Sequence, residues 1–254
     1  MAGGGYGKYL SETYDILSTD IDYEAWADFY EKCFEKYGKA KVKHICEMAC
    51  GTGSMAIILG KRGYSVTAFD LSEDMLTLAD KKTFDENLSN VRFTLQDMCD
   101  FKVYSKAQGI ICMLDSINCL KDNASVKSAF ECAYDALDDG GVFVFDVNSK
   151  YKFENTYGDN AYILEEDGIL LAWQNFYNKN TKKCDLYLSF FLEDEDGRYT
   201  RFDEKNVQKM HTVKTLDRLL CEAGFKVEAV VSDFDFTEAD EKRDERIYYI
   251  CTKI

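Results

Sequence analysis

The sequence predicts an α/β fold, a doubly wound sheet of seven strands interrupted by a small antiparallel β insertion. Three observations carry this. Short apolar runs alternate with segments of helical period through residues 1–147. Runs such as GIICML at 109–114 are apolar on both faces, as parallel strands covered by helices must be. From 148 to about 211 the alternation gives way to long strand-like segments joined by polar turns, after which helical period returns.

In chain order, Trp26, Phe29, Tyr30, Cys33, Phe34 and Tyr37 recur at three and four residues, which predicts a helix over 23–37, stopped by Gly38. A first strand follows at 42–48 (VKHICEM), then a helix at 52–61 with Gly63 as its exit. The second strand is 64–70 (YSVTAFD). Ser72 is a good N-cap, with Glu73 and Asp74 in the first turn of a helix that reaches about Lys82. Third and fourth strands are expected at 91–96 and 109–114, a helix at 124–137 ending in DDGG, and a fifth strand at 142–147 (VFVFDV). The insertion reads as strands at 169–177, 184–192 and 198–202, with turns at 178–181 and 196–197. Trp173 and Tyr177 share one strand face and Phe176 takes the other. A helix at 213–223 and two closing strands at 225–231 and 246–252 complete the core. With no helix between them, the last two are expected to pair antiparallel at the sheet edge. The domain reading is a core of 1–147 plus 212–254, with 1–38 as a helical cover and 148–211 as the insertion.

Composition narrows the function classes. Hydrophobic residues are 46% and charged residues 30%, a globular balance. The 31 basic and 46 acidic residues leave a net charge of −15, which disfavours an extended nucleic-acid surface. No apolar stretch reaches about 18 residues, so no transmembrane helix is expected. The opening MAGGGYGKYL has no apolar run of signal-peptide type. The ten cysteines include no C-x-x-C pair, and most, including Cys46, Cys112, Cys132, Cys221 and Cys251, sit in apolar stretches. They read as small buried thiols of a cytoplasmic protein, with no metal site.

The chemistry concentrates at the first strand–helix turn, EMACGTGS at 47–54. Two glycines let the backbone approach a ligand closely, and the helix N-terminus presents free N–H groups. Asp70 ends the second strand, where a carboxylate accepts bonds from ribose hydroxyls. Together these features predict nucleoside binding. Gly51-x-Gly53-x-x-Ala56 also fits the dinucleotide fingerprint. Against a dinucleotide stand Glu47, whose charge would oppose a pyrophosphate, Asp97 at the end of strand three, and the antiparallel closing pair.

At these residues the sequence resembles the class I S-adenosylmethionine (SAM)-dependent methyltransferases, whose core is a Rossmann-like seven-stranded sheet. EMACGTG (47–53) matches their first motif, acidic-x-Ala-x-Gly-x-Gly; FDLSEDML (69–76), LQDMCDF (95–101) and CMLDSINCL (112–120) match three more. YLSETYDILSTDIDYEAW (9–26), FDVNSKYKF (145–153) and RFDEKN (201–206) resemble a narrower bacterial group with a β-rich insertion after strand five. The resemblance implies SAM as cofactor and methyl transfer as the reaction. It implies that Glu47, Ala49, Gly51 and Gly53 form the loop under the methionine and ribose. Asp70 would hold the ribose hydroxyls, Leu71 would lie against adenine, and Asp97 with the Met98 N–H would read the adenine edge. Met113, Leu114 and Asp115 would line the methionine moiety, and Tyr14 would close over the cofactor.

Strand four continues as Leu114-Asp115-Ser116-Ile117, without the Asn/Asp-Pro-Pro-aromatic signature of enzymes that methylate base amino groups or glutamine amides. A small-molecule acceptor is therefore expected, with no nucleic-acid or membrane partner, in a monomer or homodimer. An RNA or protein methyltransferase and a non-catalytic binder of SAM or S-adenosylhomocysteine stay open as alternatives. Asp115 and His211 are the candidate bases; His44, inside strand one, reads as structural. The aromatic-rich insertion is expected to pack as a small sheet, to cap the substrate, or to form a dimer surface.

Overall fold

In the computed structural model, which describes residues 8–254, two helices lead the chain: α1 (Lys8–Leu17) and α2 (Tyr23–Tyr37). The core then alternates β1 (His44–Met48), α3 (Ser54–Lys61), β2 (Ser65–Asp70), α4 (Glu73–Asp85), β3 (Val91–Leu95), β4 (Ala107–Cys112), α5 (Asn123–Ala136) and β5 (Leu137–Asn148). A π-helical turn (Lys152–Tyr157) leads into β6 (Ala161–Glu166), β7 (Ile169–Asn178), β8 (Lys183–Glu193) and β9 (Tyr199–Lys209). The chain closes with α6 (Val213–Ala223), β10 (Phe225–Val231) and β11 (Arg246–Lys253).

The seven-stranded sheet has the order β10-β11-β5-β4-β1-β2-β3. β1 pairs in parallel with β2 and β4, while β11 slots antiparallel between β5 and β10. Strand order therefore reverses between β1 and β4, and ligands of such sheets bind outside the carboxyl ends at that switch point. Helices cover both faces. On one, α5 and α6 bury Phe130, Leu216 and Leu220 against Phe143, Phe145 and Tyr249, the last two stacked at 4.9 Å. On the other, α2 and α3 bury Trp26, Phe29, Tyr30 and Leu59. Helix starts follow local chemistry: the side chains of Asp22, Ser72, Asp122 and Thr212 each accept a first-turn N–H. The second sheet, order β6-β7-β8-β9, is antiparallel throughout.

Some elements differ from expectation. β6, the π-helical turn and a 3-10 turn (Ser116–Cys119) have no counterpart in the sequence reading, and α1 falls in the expected helical cover of 1–38, where no separate helix was delimited. The third insertion strand, expected to stop at 202, runs to Lys209 and pairs with β8 along its whole length. The DDGG segment is not a turn: β5 starts at Leu137, and a register shift opposite Ala107 and Gly109 absorbs the irregularity. Cys132 is only partly buried and Cys221 is exposed, because both lie on outer helix flanks. His44 is held between Thr67 Oγ1 and the Lys106 carbonyl. Among the described residues no helix is long and apolar enough to cross a membrane. The signal-peptide expectation falls largely on residues 1–7, outside the described residues.

Candidate active site

β1 delivers Glu47 to the carboxyl edge of the sheet, and the chain then turns tightly into α3. Cys50 N–H donates to the Phe69 carbonyl and Gly53 N–H to the Cys50 carbonyl, both at 2.9 Å, which locks the turn. Its two glycines serve different needs. Gly53 has φ +74°, and a Cβ there would come within 2.7 Å of the Phe93 ring. Gly51 has φ +54°, and a Cβ there would meet nothing within 4 Å. Gly53 is thus required by packing, and Gly51 borders open space. Ala49, Leu114 and Asp115 all hold φ 54° at the ends of β1 and β4, a conformation that costs non-glycine residues energy and clusters at functional sites.

Asp70 closes β2 with its carboxylate buried. Oδ2 accepts from Gly51 N–H and Oδ1 from Ser72 N–H, each at 2.9 Å, and each oxygen keeps acceptor capacity for a ligand hydroxyl. Burial raises its pKa above the usual carboxylate range. Glu47 is more deeply set, 1% exposed, with Oε2 unpartnered. Burial, reinforced by Asp70, pushes its pKa up to about 8. A buried carboxyl with a free oxygen is a receptor for a cation or an N–H donor.

These residues line one cavity together with Tyr14, Tyr23, Ala49, Met113 and Leu114. Its volume, about 50 Å³, is far below the roughly 300–1,000 Å³ of ligand pockets. Tyr14 of α1 forms part of the wall, and α1 is tied down beside it. Asp15 accepts from Thr52 Oγ1 (2.6 Å) and from Lys82 Nζ (2.8 Å), and Lys82 Nζ also reaches Ser54 Oγ (2.9 Å). Outward, Tyr14 and Leu17 pack on Leu171, Leu188 and Phe190 of the insertion. Gly53, packed against Phe93 and Ala79, does not line the cavity. Leu71, 51% exposed, and Asp97 and Met98 do not line it; Asp97 Oδ1 caps Cys99 N–H (2.8 Å) and Met98 packs on the core.

Beside the cavity lies a second polar group. Arg246, at the start of β11, pairs with Asp115 (3.1 Å) and with Asp146 of β5. Asp115 N–H donates to Asp146 Oδ2 (2.9 Å), and Gln208 of β9 donates to Asp115 Oδ2. Gln208 Oε1 and the Tyr157 hydroxyl both meet Asn148 Nδ2. Asp146 is fully buried, its pKa is raised by desolvation, and its Oδ1 has no partner. His211 is 4% exposed, with Nε2 3.2 Å from the Leu120 carbonyl, and burial lowers its pKa to about 4. The two candidate bases are therefore apart: Asp115 belongs to this network, His211 to the entry of α6.

Comparison with known proteins places the chain. The family profile described as "Methyltransferase domain" matches residues 45–141. The protein named "Putative methyltransferase GWCH70_2453" of Geobacillus sp. (strain WCH70) is 31% identical over 240 residues, spanning 94% of this chain and 96% of the relative. The chain belongs to the class I methyltransferases. The crystal structure of a SAM-dependent methyltransferase from Clostridium acetobutylicum superposes with a TM-score of 0.86 at 29% identity, covering 97% of this methyltransferase and 98% of that chain. The dTDP-3-amino-3,4,6-trideoxy-α-D-glucopyranose N,N-dimethyltransferase of Streptomyces venezuelae is 25% identical over 187 residues, 72% of this chain and 76% of its own.

Several residues of this methyltransferase's site escape sequence reasoning. Tyr23 looked like the first residue of an amphipathic helix. Asp15 and Lys82 meet across 67 positions, and Arg246 and Asp115 across 131. Only the odd placement of a lone arginine in the segment DERIYYI, just ahead of an apolar strand, hints at a buried partner.

Proposed function

We propose that the protein transfers the methyl group of SAM to a nucleophilic atom of a small molecule. The observation that carries this is Glu47: a buried carboxyl with an unpartnered oxygen, facing the space that Gly51 leaves open and that Asp70 borders. When bound, SAM supplies an electrophilic methyl on a sulfonium sulfur. Asp70 accepts the ribose hydroxyls with its remaining lone pairs, and Glu47 holds the cationic methionine end. Gly51 and Ala49 form the floor, and Met113 and Leu114 line the methionine side. Leu71, Asp97 and Met98 take adenine at the exposed rim. Tyr14 covers the reactants, so α1 moves aside to admit the nucleoside and then excludes water.

Asp115 acts as a positioning residue, since its carboxylate is already engaged by Arg246 and Gln208. His211, kept neutral by burial and turned to a backbone carbonyl, is a structural group. The aminosugar relative makes an amine the first acceptor class to try. Residues 148–211 cap the acceptor side, because Tyr157 and Gln208 reach into the Asp115 network from there. The contact of Tyr14 and Leu17 with this cap closes the approach a macromolecule would need, which favours a small acceptor. Ten free cysteines suit a reducing cytoplasm.

The test is a thermal melt with SAM, S-adenosylhomocysteine, NAD and NADP in parallel. A ligand at 100 times its Kd stabilises the fold by about 2.7 kcal/mol. Stabilisation by the first two alone is expected, followed by methyl transfer to a small amine in an acceptor panel. Stabilisation by NAD or NADP alone would overturn the cofactor assignment. Transfer to RNA or protein but to no small molecule would overturn the acceptor class.

A further inference from the structure

At the opposite edge of the main sheet, where β1, β4 and β5 begin, lies a second cleft of about 610 Å³. Lys41, Lys43 and Lys106 line it. In a chain of net charge −15 this is an unusual concentration of cations. Lys41 and Lys43 flank the buried Val42 in extended chain, so both project outward on one side. Among the described residues none of the three lysines makes an ion pair. Two carboxylates also line the cleft: Asp138 accepts from Gln108 Nε2 (2.8 Å), a neutral donor that cancels no charge, and Asp139 lies 3.9 Å from Lys253 Nζ, so three lysines stand against two aspartates. Lys253 is itself 5% exposed and anchored to the Tyr134 and Leu137 carbonyls, and burial, then the charge of Lys106, lowers its pKa. Like charges close together repel, and Asp139, 3.9 Å from Lys253 Nζ, offsets only part of that repulsion. An anion at this point would turn that repulsion into attraction.

We propose that this cleft binds the phosphate groups of a small phosphorylated molecule, at a second site on the far side of the sheet from methyl transfer. Lysine binds phosphate as a mobile point charge, and three of them suit a di- or triphosphate better than a single carboxylate. The cleft volume falls within the range of small-molecule sites. The inference stands on the lysines alone and does not depend on the methyl-transfer reading.

Calorimetry of the full chain with inorganic pyrophosphate, ATP, adenosine and a short RNA tests it, in wild type, Lys41→Gln/Lys43→Gln and Lys106→Gln, each with S-adenosylhomocysteine present to fill the cofactor cleft. Pyrophosphate and ATP should bind wild type while adenosine does not. Their affinity should fall at least tenfold in both variants, while the melt shift given by SAM stays the same. These side chains are exposed, so circular dichroism should be unchanged. Absence of pyrophosphate binding at millimolar concentration, or equal binding by wild type and variants, would overturn the proposal. Binding of RNA through these lysines with none of pyrophosphate would overturn the small-molecule class.

Discussion

Glu47 carries a proton that the unfolded chain would release, because burial lifts its pKa from 4.5 to about 8. A pKa raised in the folded state gives stability that is full below the unfolded value and is lost as pH rises through the folded one. The unliganded protein should therefore lose stability between pH 4.5 and 8, and a cation beside Glu47 should offset the loss. The melt shift produced by SAM is expected to grow from pH 6 to pH 8.5 and to become nearly flat in Glu47→Gln. Equal growth in that variant would place the titrating group elsewhere. Asp70→Ala removes a charged acceptor worth about 1.5–3 kcal/mol per hydrogen bond, so SAM affinity should drop roughly 10- to 100-fold in calorimetry. The fold should survive, since the losses inside the protein are two backbone bonds at a loop. That Glu47, Gly51 and Asp70 come together around one cavity could be anticipated from the sequence because strand, turn and carboxylate lie close along the chain. Asp97 and Met98 came from the same reasoning, yet the cavity is lined without them. Residue type and spacing do not say how far a rim side chain must travel to reach a ligand.

The turn between β1 and α3 is the element on which binding and folding can be separated. Gly53→Ala combines a left-handed backbone, costing about 1–2 kcal/mol, with a clash against Phe93 and should lower the melting temperature clearly. Gly51→Ala carries the backbone cost without the clash, and its methyl enters the ligand space. Its melting temperature should fall less than that of Gly53→Ala, while its SAM affinity falls more. The reverse order would mean that the ligand does not lie over Gly51. Elements with strong periodicity, such as α4 behind its Ser72 cap and α6, could be read directly. β6 could not, because AYILEE is almost wholly exposed and shows no buried face. β9 was cut short for a different reason: its missed half, DEKNVQK at 203–209, is polar with no alternating apolar face although it is the more buried half, and its strand character comes from pairing with β8.

At the scale of the molecule, Arg246 ties β4, β5, β9 and β11 together through Asp115, Asp146 and Gln208. Arg246→Met leaves two carboxylates uncompensated and should destabilise the fold by about 3–5 kcal/mol in denaturant titration. Arg246→Met/Asp146→Asn should recover part of that. No sequence pattern announces this group, since its members come from distant strands and meet only when the sheet closes. The α1 fastening has a different consequence. Lys82 and Asp15 are 30% and 43% exposed, within reach of dissolved ions, whereas the pocket beside them is lined in part by buried side chains such as Glu47 and Met55. Added salt is therefore expected to loosen the fastening while leaving the buried contacts beneath it intact, and on the proposal that α1 closes over the nucleoside, ionic strength would set how long the spent one dwells before a fresh one replaces it.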